Sequence, residues 1–184
     1  TRQMYLRALQ IRPSAKVSAA AITWGNGPRT DAEFRVLDAY SRVFQDWRGW
    51  LEEGILDLAM PMNYFRETTN ARSLDLWTEY QKDHQYNRAI VNGLGNYLNP
   101  LESTLAQMRR VLAPSAAGNQ LLGVCLYSYS ATRNDVAGEL PNPAFYAALS
   151  DFYREPAEAP RLAWKERPGW GNLMGTVEVA GGAA

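Results

Sequence analysis

The feature that most constrains the fold of this 184-residue chain is a fourfold alternation of apolar, strand-like runs with amphipathic helices. The runs are Lys16–Trp24, Ile55–Tyr64, Arg88–Leu94 and Leu121–Tyr129. Strands that are separated by helices pair in parallel, because a parallel pair needs a crossover connection. The runs start 33 to 39 residues apart, which agrees with the length of one β/α unit. The sequence therefore predicts an α/β fold with a parallel sheet.

Capping residues and stop signals set the limits of the predicted helices. Thr30 and Glu33 have the spacing of a capping box, and Gly54 ends a helical region that we predict up to about Glu53. Further helices are predicted at about 71–83, from the cap Asn99 to about 113, and from 142 to about 155. An apolar stripe in the first region is predicted to pack on the sheet: Tyr40, Val43, Phe44, Trp47, Trp50 and Leu51.

A barrel explains these units better than an open dinucleotide-binding sheet, because Trp24-Gly25-Asn26-Gly27-Pro28 lacks the G-x-G-x-x-G pattern. A (β/α)8 barrel has eight strands in about 250 residues, so residues 1–156 are predicted to form the second half of a TIM-type barrel. The helix Arg2–Gln10 has no strand before it, and we expect an N-terminal half of the barrel as its partner. Residues 157–184 are predicted to be a linker and the start of a further β domain, since Met174–Val179 alternates like a strand.

The half-barrel prediction also fixes the order of the strands. Spatial order should follow chain order, with the first and fourth runs at the open edges of the sheet. Within these runs, the segments Val17–Trp24 and Leu121–Tyr127 are apolar and lack the Lys, Pro or bulge that protects natural edges. We therefore expect the isolated chain to dimerise or aggregate.

The composition excludes several classes of function. The net charge is +0, so there is no basic excess for a nucleic-acid partner, and no apolar stretch reaches the roughly 20 residues of a membrane span. Cys125 and His84 are the only residues of their types, which excludes a disulfide framework and a His/Cys metal site. No metal and no cofactor are predicted.

The ends of the four runs carry aromatic rings, amides and a guanidinium group. Ligand sites of parallel sheets lie at the carboxyl ends of the strands, and aromatic faces with polar neighbours are typical of carbohydrate binding. Singly, each ring is also compatible with packing in the core. The predicted substrate-binding residues are Trp24, Asn26, Asn63, Tyr64, Arg66, Asn96, Tyr97, Tyr127 and Tyr129.

Glu67 is the predicted catalytic residue, because glycoside cleavage needs carboxylates and Glu67 lies just past the second run. The alternative is a solvated loop residue paired with Arg66. Asp57, at the amino end of its strand, is predicted to be structural. A phosphate site at Gly93-Leu94-Gly95 is a third possibility, but Glu102 would repel the anion. These glycines are expected instead to allow a close approach of the backbone or a ligand.

Several motifs in sequence order resemble the bacterial glycoside-hydrolase-like family 10. They are Tyr40-Ser41 and Asp46-Trp47 on one predicted helix, followed by Pro61-Met62-Asn63-Tyr64 at a strand end. The likeness spans about residues 16–156. It implies strands five to eight of a (β/α)8 barrel and a glycosidase that hydrolyses a bacterial polysaccharide or cell-wall glycan by carboxylate acid/base catalysis. It also implies a secreted or cell-envelope location.

Two features depart from this resemblance. The acidic Asp-Asp-Tyr type motif of the family's fourth strand has no counterpart here, and Met62 stands where the family usually has Gln. We therefore expect part of the catalytic apparatus to lie outside this sequence. The alternative is a non-catalytic carbohydrate-binding or scaffolding barrel.

Overall fold

The computed structural model describes residues 1–133, 142–169, 171–173 and 175, and it has an α/β fold with one four-stranded parallel sheet. Every strand lies inside one of the predicted runs, so the predicted strands are confirmed. The strands are β1 Ser18–Ala21, β2 Leu58–Asn63, β3 Ala89–Leu94 and β4 Gly123–Leu126.

The strand order is β1-β2-β3-β4, and all three pairings are parallel. The predicted order is thereby confirmed, with β1 and β4 as the outer strands of the described sheet. The register places Met62, Gly93 and Cys125 side by side on neighbouring strands. This arrangement is compatible with half of a barrel, and the barrel itself stays a prediction.

Eight helices accompany the sheet in the described part of the chain, together with a short 3-10 turn at Asn96–Leu98. They are α1 Arg2–Ile11, α2 Asp31–Val36, α3 Asp38–Ser41, α4 Trp47–Glu53, α5 Glu67–Asp83, α6 Leu101–Leu112, α7 Pro143–Phe152 and α8 Ala163–Glu166.

The predicted single helical region up to Glu53 is wrong, because the chain breaks it into α2, α3 and α4. Leu37 is extended between α2 and α3, and Phe44 has a left-handed φ of 57°. The side chain of Asp46 then accepts a hydrogen bond from the Gly49 N–H and starts α4 as a new helix. Phe44 is consequently 81% exposed and does not belong to the predicted packing stripe.

The structure confirms one of the predicted helix N-caps and contradicts another. Thr30 accepts a hydrogen bond from the Glu33 N–H, as predicted, and the Asn142 side chain caps α7. Asn99 does not cap α6, whose N-cap position is held by Pro100. The Asn99 side chain is fully engaged elsewhere, as described below.

Helices cover one face of the sheet. Ala59, Ile90 and Leu94 are fully buried on this face in one cluster with Trp47 and Trp77. The predicted packing role of Trp47 is thereby confirmed. On the opposite face, Met60, Met62 and Val91 are only half-buried by the described residues, and Cys125 is exposed.

The amino end of β2 is held by a buried carboxylate. Asp57 is fully buried and accepts hydrogen bonds from the Tyr5 hydroxyl at 2.9 Å and the Trp164 Nε1 at 2.7 Å. It also accepts the Val17 N–H at 2.8 Å and pairs with the Lys165 Nζ at 2.9 Å. Asp57 therefore ties α1, β1 and α8 to the sheet, in agreement with its predicted structural role.

Part of the predicted linker is thus packed on the sheet, since α8 lies within residues 157–184 and carries two of the contacts to Asp57. The strand predicted at 174–179 lies outside the described residues, apart from Gly175.

Candidate functional site

Three tyrosines from three different strand ends meet at the carboxyl edge of the sheet. The rings of Tyr64 and Tyr127 are stacked, with centroids 5.3 Å apart and an angle of 18° between their planes. Tyr97 packs edge-on against both, at 6.2 Å from Tyr64 and 5.9 Å from Tyr127. The structure therefore brings together three of the predicted aromatic residues, and we call this group the tyrosine cluster.

Gly95 makes the stacked pair possible. Tyr64 follows β2 and Tyr127 follows β4, so the two side chains must reach each other across β3, over a distance of roughly 10 Å between the strands. The position between them belongs to Gly95, where an added Cβ would lie only 3.0 Å from the Tyr64 Cβ. The added Cβ would also lie 3.1 Å from the Tyr64 Cα, so the predicted close approach of the backbone at this glycine is confirmed.

Two further aromatic residues stand at the same edge of the sheet. Trp24 lies three residues beyond Ala21, and Tyr64 lies three residues beyond its partner Pro61, so the two residues follow neighbouring parallel strands. Trp24 is 55% exposed. Tyr129 is also exposed and contacts Tyr146 of α7, with ring centroids 5.6 Å apart.

Asn63 does not belong to this surface. It is fully buried, and its side-chain amide exchanges two hydrogen bonds with Gln81 of α5, at 2.9 and 3.2 Å. Asn92 donates to the same Gln81 oxygen at 2.9 Å. Successive residues of a strand point to opposite faces, so Asn63 faces the helices while Tyr64 points to the other face.

Asn96 is buried as well and serves the loop after β4. Its Nδ2 lies 3.0 to 3.2 Å from the carbonyl oxygens of Ser128, Ala131 and Thr132. Asn96 therefore shapes the chain that carries Tyr129 and does not present an amide to a ligand. Of the three predicted amides, Asn26 alone is exposed.

Glu67 is the first residue of α5 and is held by α6. Both of its carboxylate oxygens accept from the Arg110 guanidinium at 2.8 Å, and Gln107 Nε2 donates a further hydrogen bond at 3.1 Å. The hydrogen bond from Arg110 is the main cause of a lowered Glu67 pKa, and it outweighs the opposing effect of partial burial. Glu67 is therefore ionised, and its partner is Arg110 rather than Arg66.

Arg66 points to the neighbouring loop, where its guanidinium donates to the Leu98 carbonyl at 3.2 Å. Asn99 links the same two loops: its Oδ1 accepts the Glu67 N–H at 2.8 Å, and its Nδ2 donates to the carbonyl oxygens of Phe65 and Gly95. These contacts fix the loop after β2 against the loop after β3. Sequence reasoning missed this role of Asn99, because a cap at the following helix was the nearer explanation.

Four cavities of about 510 to 860 Å³ in the described residues are not lined by any residue of the tyrosine cluster. One, of about 530 Å³, lies at the amino end between α1 and α8 and is lined by Tyr5, Arg88, Trp164 and Lys165 among others. Three of its lining residues, Tyr5, Trp164 and Lys165, contact Asp57, so we assign the cavity to the packing of α8. The tyrosine cluster is better described as a surface than as one of these cavities.

Two negative findings concern the described ranges alone. They contain no group of three or more His, Cys, Asp or Glu residues placed to hold a metal ion. They also contain no helix with the length and apolar character to cross a membrane.

Comparisons of the chain with protein-family models, with characterised proteins and with solved structures gave no match. The resemblance to the glycoside-hydrolase-like family 10 therefore rests on the sequence motifs.

Proposed function

We propose that this chain binds a carbohydrate at the tyrosine cluster, as part of a glycoside-hydrolase-like protein that acts on a bacterial polysaccharide or cell-wall glycan. The observation that carries the proposal is the meeting of Tyr64, Tyr97 and Tyr127 at the carboxyl edge of a parallel sheet. This edge is where parallel α/β folds place their ligand sites.

The chemistry of the cluster supports a sugar. A pyranose ring offers an apolar face to an aromatic ring and hydroxyl groups to polar neighbours. Burial raises the Tyr64 pKa, with further contributions from Cys125 and the two neighbouring tyrosines, so its hydroxyl stays protonated and can donate. Trp24, which follows the neighbouring strand, extends the aromatic surface toward β1.

Tyr127→Ala tests the proposal with little risk to folding, because Tyr127 is 55% exposed. The matched control is Tyr153→Ala, which removes an equally exposed ring, 50%, at the end of α7. Binding is measured by calorimetry against cellohexaose, chitohexaose and soluble cell-wall glycan fragments. We expect at least one glycan to bind, and Tyr127→Ala to weaken it by about tenfold, the effect of roughly 1.4 kcal/mol of lost ring contact.

The result against the proposal would be equal affinity of the Tyr127→Ala and Tyr153→Ala proteins for every glycan that binds. Failure of all glycans to bind would also refute it, provided that circular dichroism shows the folded protein.

Hydrolysis is the second candidate function, and Glu67 is the residue that favours it. Its lowered pKa fits the ionised nucleophile or base of a carboxylate pair rather than the proton donor, whose pKa must be raised. A proton-donating carboxylate from another part of the protein would complete the pair. Glu67→Gln in the full-length protein should then lower kcat by at least ~10²-fold. Unchanged turnover would leave Glu67 with its structural contacts to Arg110 and leave carbohydrate binding as the function of this chain.

A further inference from the structure

A concave feature borders the carboxyl edge of the sheet, in addition to the tyrosine cluster. It is a cleft of about 540 Å³ between the loop after β1 and the first turns of α5. Polar side chains dominate its lining, namely Asn26, Arg29, Glu33, Thr69, Asn70 and Arg72. We call it the arginine cleft.

The wall of the arginine cleft is built by a close contact between the loop and α5. An added Cβ at Gly27 would lie 2.2 Å from the Trp77 backbone nitrogen, so only glycine fits there. The Trp77 Nε1 donates to the Gly25 carbonyl at 3.2 Å, and the Ser73 hydroxyl donates to the Asn26 Oδ1 at 2.8 Å. The shape of the cleft is therefore fixed by the fold.

Its polar atoms are mostly hydrogen-bond donors. The Asn26 Oδ1 is occupied by Ser73 and the Asn70 Oδ1 by the Thr69 hydroxyl at 2.7 Å, whereas the NH₂ groups of these two lining residues have no hydrogen-bond partner in the described ranges. The guanidinium groups of Arg29 and Arg72 are exposed and have no hydrogen bond or ion pair within the described ranges. Glu33 is the one acidic residue of the lining, and one of its oxygens accepts the Arg29 N–H.

Two guanidinium groups and two amide donors suit an anionic oxygen group better than a neutral hydroxyl, since carboxylate, sulfate and phosphate accept several hydrogen bonds and carry charge. The position favours a ligand shared with the tyrosine cluster. Asn26 lies two residues after Trp24, and Thr69 lies five residues after Tyr64, so both walls continue from the aromatic strand ends.

We propose that the arginine cleft binds an anionic group carried by the glycan, so that the protein takes acidic rather than neutral polysaccharides. This inference rests on the proposed carbohydrate-binding function and narrows its substrate class. The anionic group is a sugar carboxylate, a sulfate ester or a phosphate ester, which share the chemistry that the cleft recognises.

The test compares a double variant, Arg29→Gln with Arg72→Gln, with a control pair, Arg12→Gln with Arg154→Gln. All four arginines are exposed, and both pairs remove two positive charges, so the change in net charge is the same. The probes are hexagalacturonate, its neutral methyl ester, and sulfated and phosphorylated cellohexaose beside unmodified cellohexaose. Affinities are measured by calorimetry at low and at physiological salt.

We expect the wild-type protein to prefer an acidic glycan over its neutral counterpart by about fivefold or more at low salt. The preference should disappear in the Arg29/Arg72 variant, remain in the control pair, and persist in Tyr127→Ala although that variant binds both glycans more weakly. The acidic probe with the largest preference identifies the anionic group.

Three results would overturn the inference. The first is equal affinity of the wild-type protein for acidic and neutral glycans. The others are an acidic preference that the Arg29/Arg72 variant keeps, and an equal loss of that preference in the Arg29/Arg72 variant and in the control pair. If no glycan binds at all, inorganic sulfate and phosphate are titrated while the arginine side-chain NMR signals are followed. Shifts at Arg29 and Arg72 would then separate a failed sugar surface from a valid anion site, and their absence would refute the cleft as well.

Discussion

The two ends of the sheet use their polar and aromatic groups in opposite ways. At the amino end, Asp57 is fully buried and receives four donors from Tyr5, Val17, Trp164 and Lys165. At the carboxyl end, the rings of Trp24 and Tyr127 are more than half exposed, although they follow strands of the same sheet. The carboxylate at the amino end is fully paired within the protein, whereas the rings at the carboxyl end are exposed to solvent.

This difference is informative because both ends are built from one set of strands. An ionised group that is buried must be fully paired, since an unpaired buried charge would cost several kcal/mol. Aromatic rings left at the surface lose hydrophobic stabilisation that burial would provide. The amino end therefore contributes stability through its buried contacts, and the carboxyl end is where we propose that the ligand binds.

Asp57→Asn should have the largest effect on stability. The change removes the charge that balances Lys165 and replaces an acceptor oxygen by an NH₂ group facing other donors. We expect the free energy of unfolding to fall by roughly 3–5 kcal/mol, measured by urea denaturation. Glycan affinity of the folded fraction should be unchanged.

The control for this change is Asp38→Asn, which removes one partner of an exposed ion pair with Arg42 on α3. That pair should contribute no more than about 0.5 kcal/mol. If both variants lose the same stability, the amino end is not the stabilising region, and the contrast between the two ends fails.

Gly95→Ala should have an intermediate effect on stability, and it changes the carboxyl end of the sheet. The added methyl group would lie 3.0 Å from the Tyr64 Cβ and 3.2 Å from the Leu98 Cδ1, so the tyrosine stack must shift. We expect a loss of stability of about 2 kcal/mol and a clear loss of glycan affinity. Gly123→Ala is the matched control, because an added Cβ meets open space there. A Gly95→Ala protein that binds like wild type would show that the stacked pair is not the binding surface.

Glu67→Gln should have the smallest effect on stability, about 1 kcal/mol at neutral pH, because its ion pair with Arg110 is partly exposed. The lowered pKa fixes the sign of the pH dependence. Stability from this pair is present above the pKa of an unfolded Glu, about 4.3, and is lost as the pH falls through the lower folded value.

The stabilities of the wild-type and Glu67→Gln proteins should therefore converge in acid. Urea denaturation at several pH values measures this, with the exposed Glu158→Gln as control. A difference that stays constant down to the lowest pH would mean that Arg110 does not hold Glu67 in its charged form.

The sequence was sufficient to predict the strands and their order, because apolar runs and helix signals are local. It did not separate Asn63 from Tyr64, since a continuous apolar run does not reveal which of two adjacent residues faces the helices. The Arg110 partner of Glu67 lies 43 residues away in the chain and depends on the packing of α6 on α5. The break before α4 did have a local signal, because Asp46 stands three residues before Gly49 and caps the new helix. The helical spacing of the apolar residues nevertheless led to the prediction of one continuous helical region.

The stacking of Tyr64 on Tyr127 has one more consequence, because β4 is an outer strand of the described sheet and β2 is an inner one. A sugar bound to both rings would connect the ends of β2 and β4 across β3. Thermodynamic linkage then requires that the ligand lower the population of the locally opened form of β4, which has one neighbouring strand in the described sheet. Amide hydrogen exchange at Val124 and Leu126 should decrease when the sugar is bound, while the inner strand, already protected on both sides, should change far less. The rate of amide hydrogen exchange in β4 would thus report whether a sugar is bound.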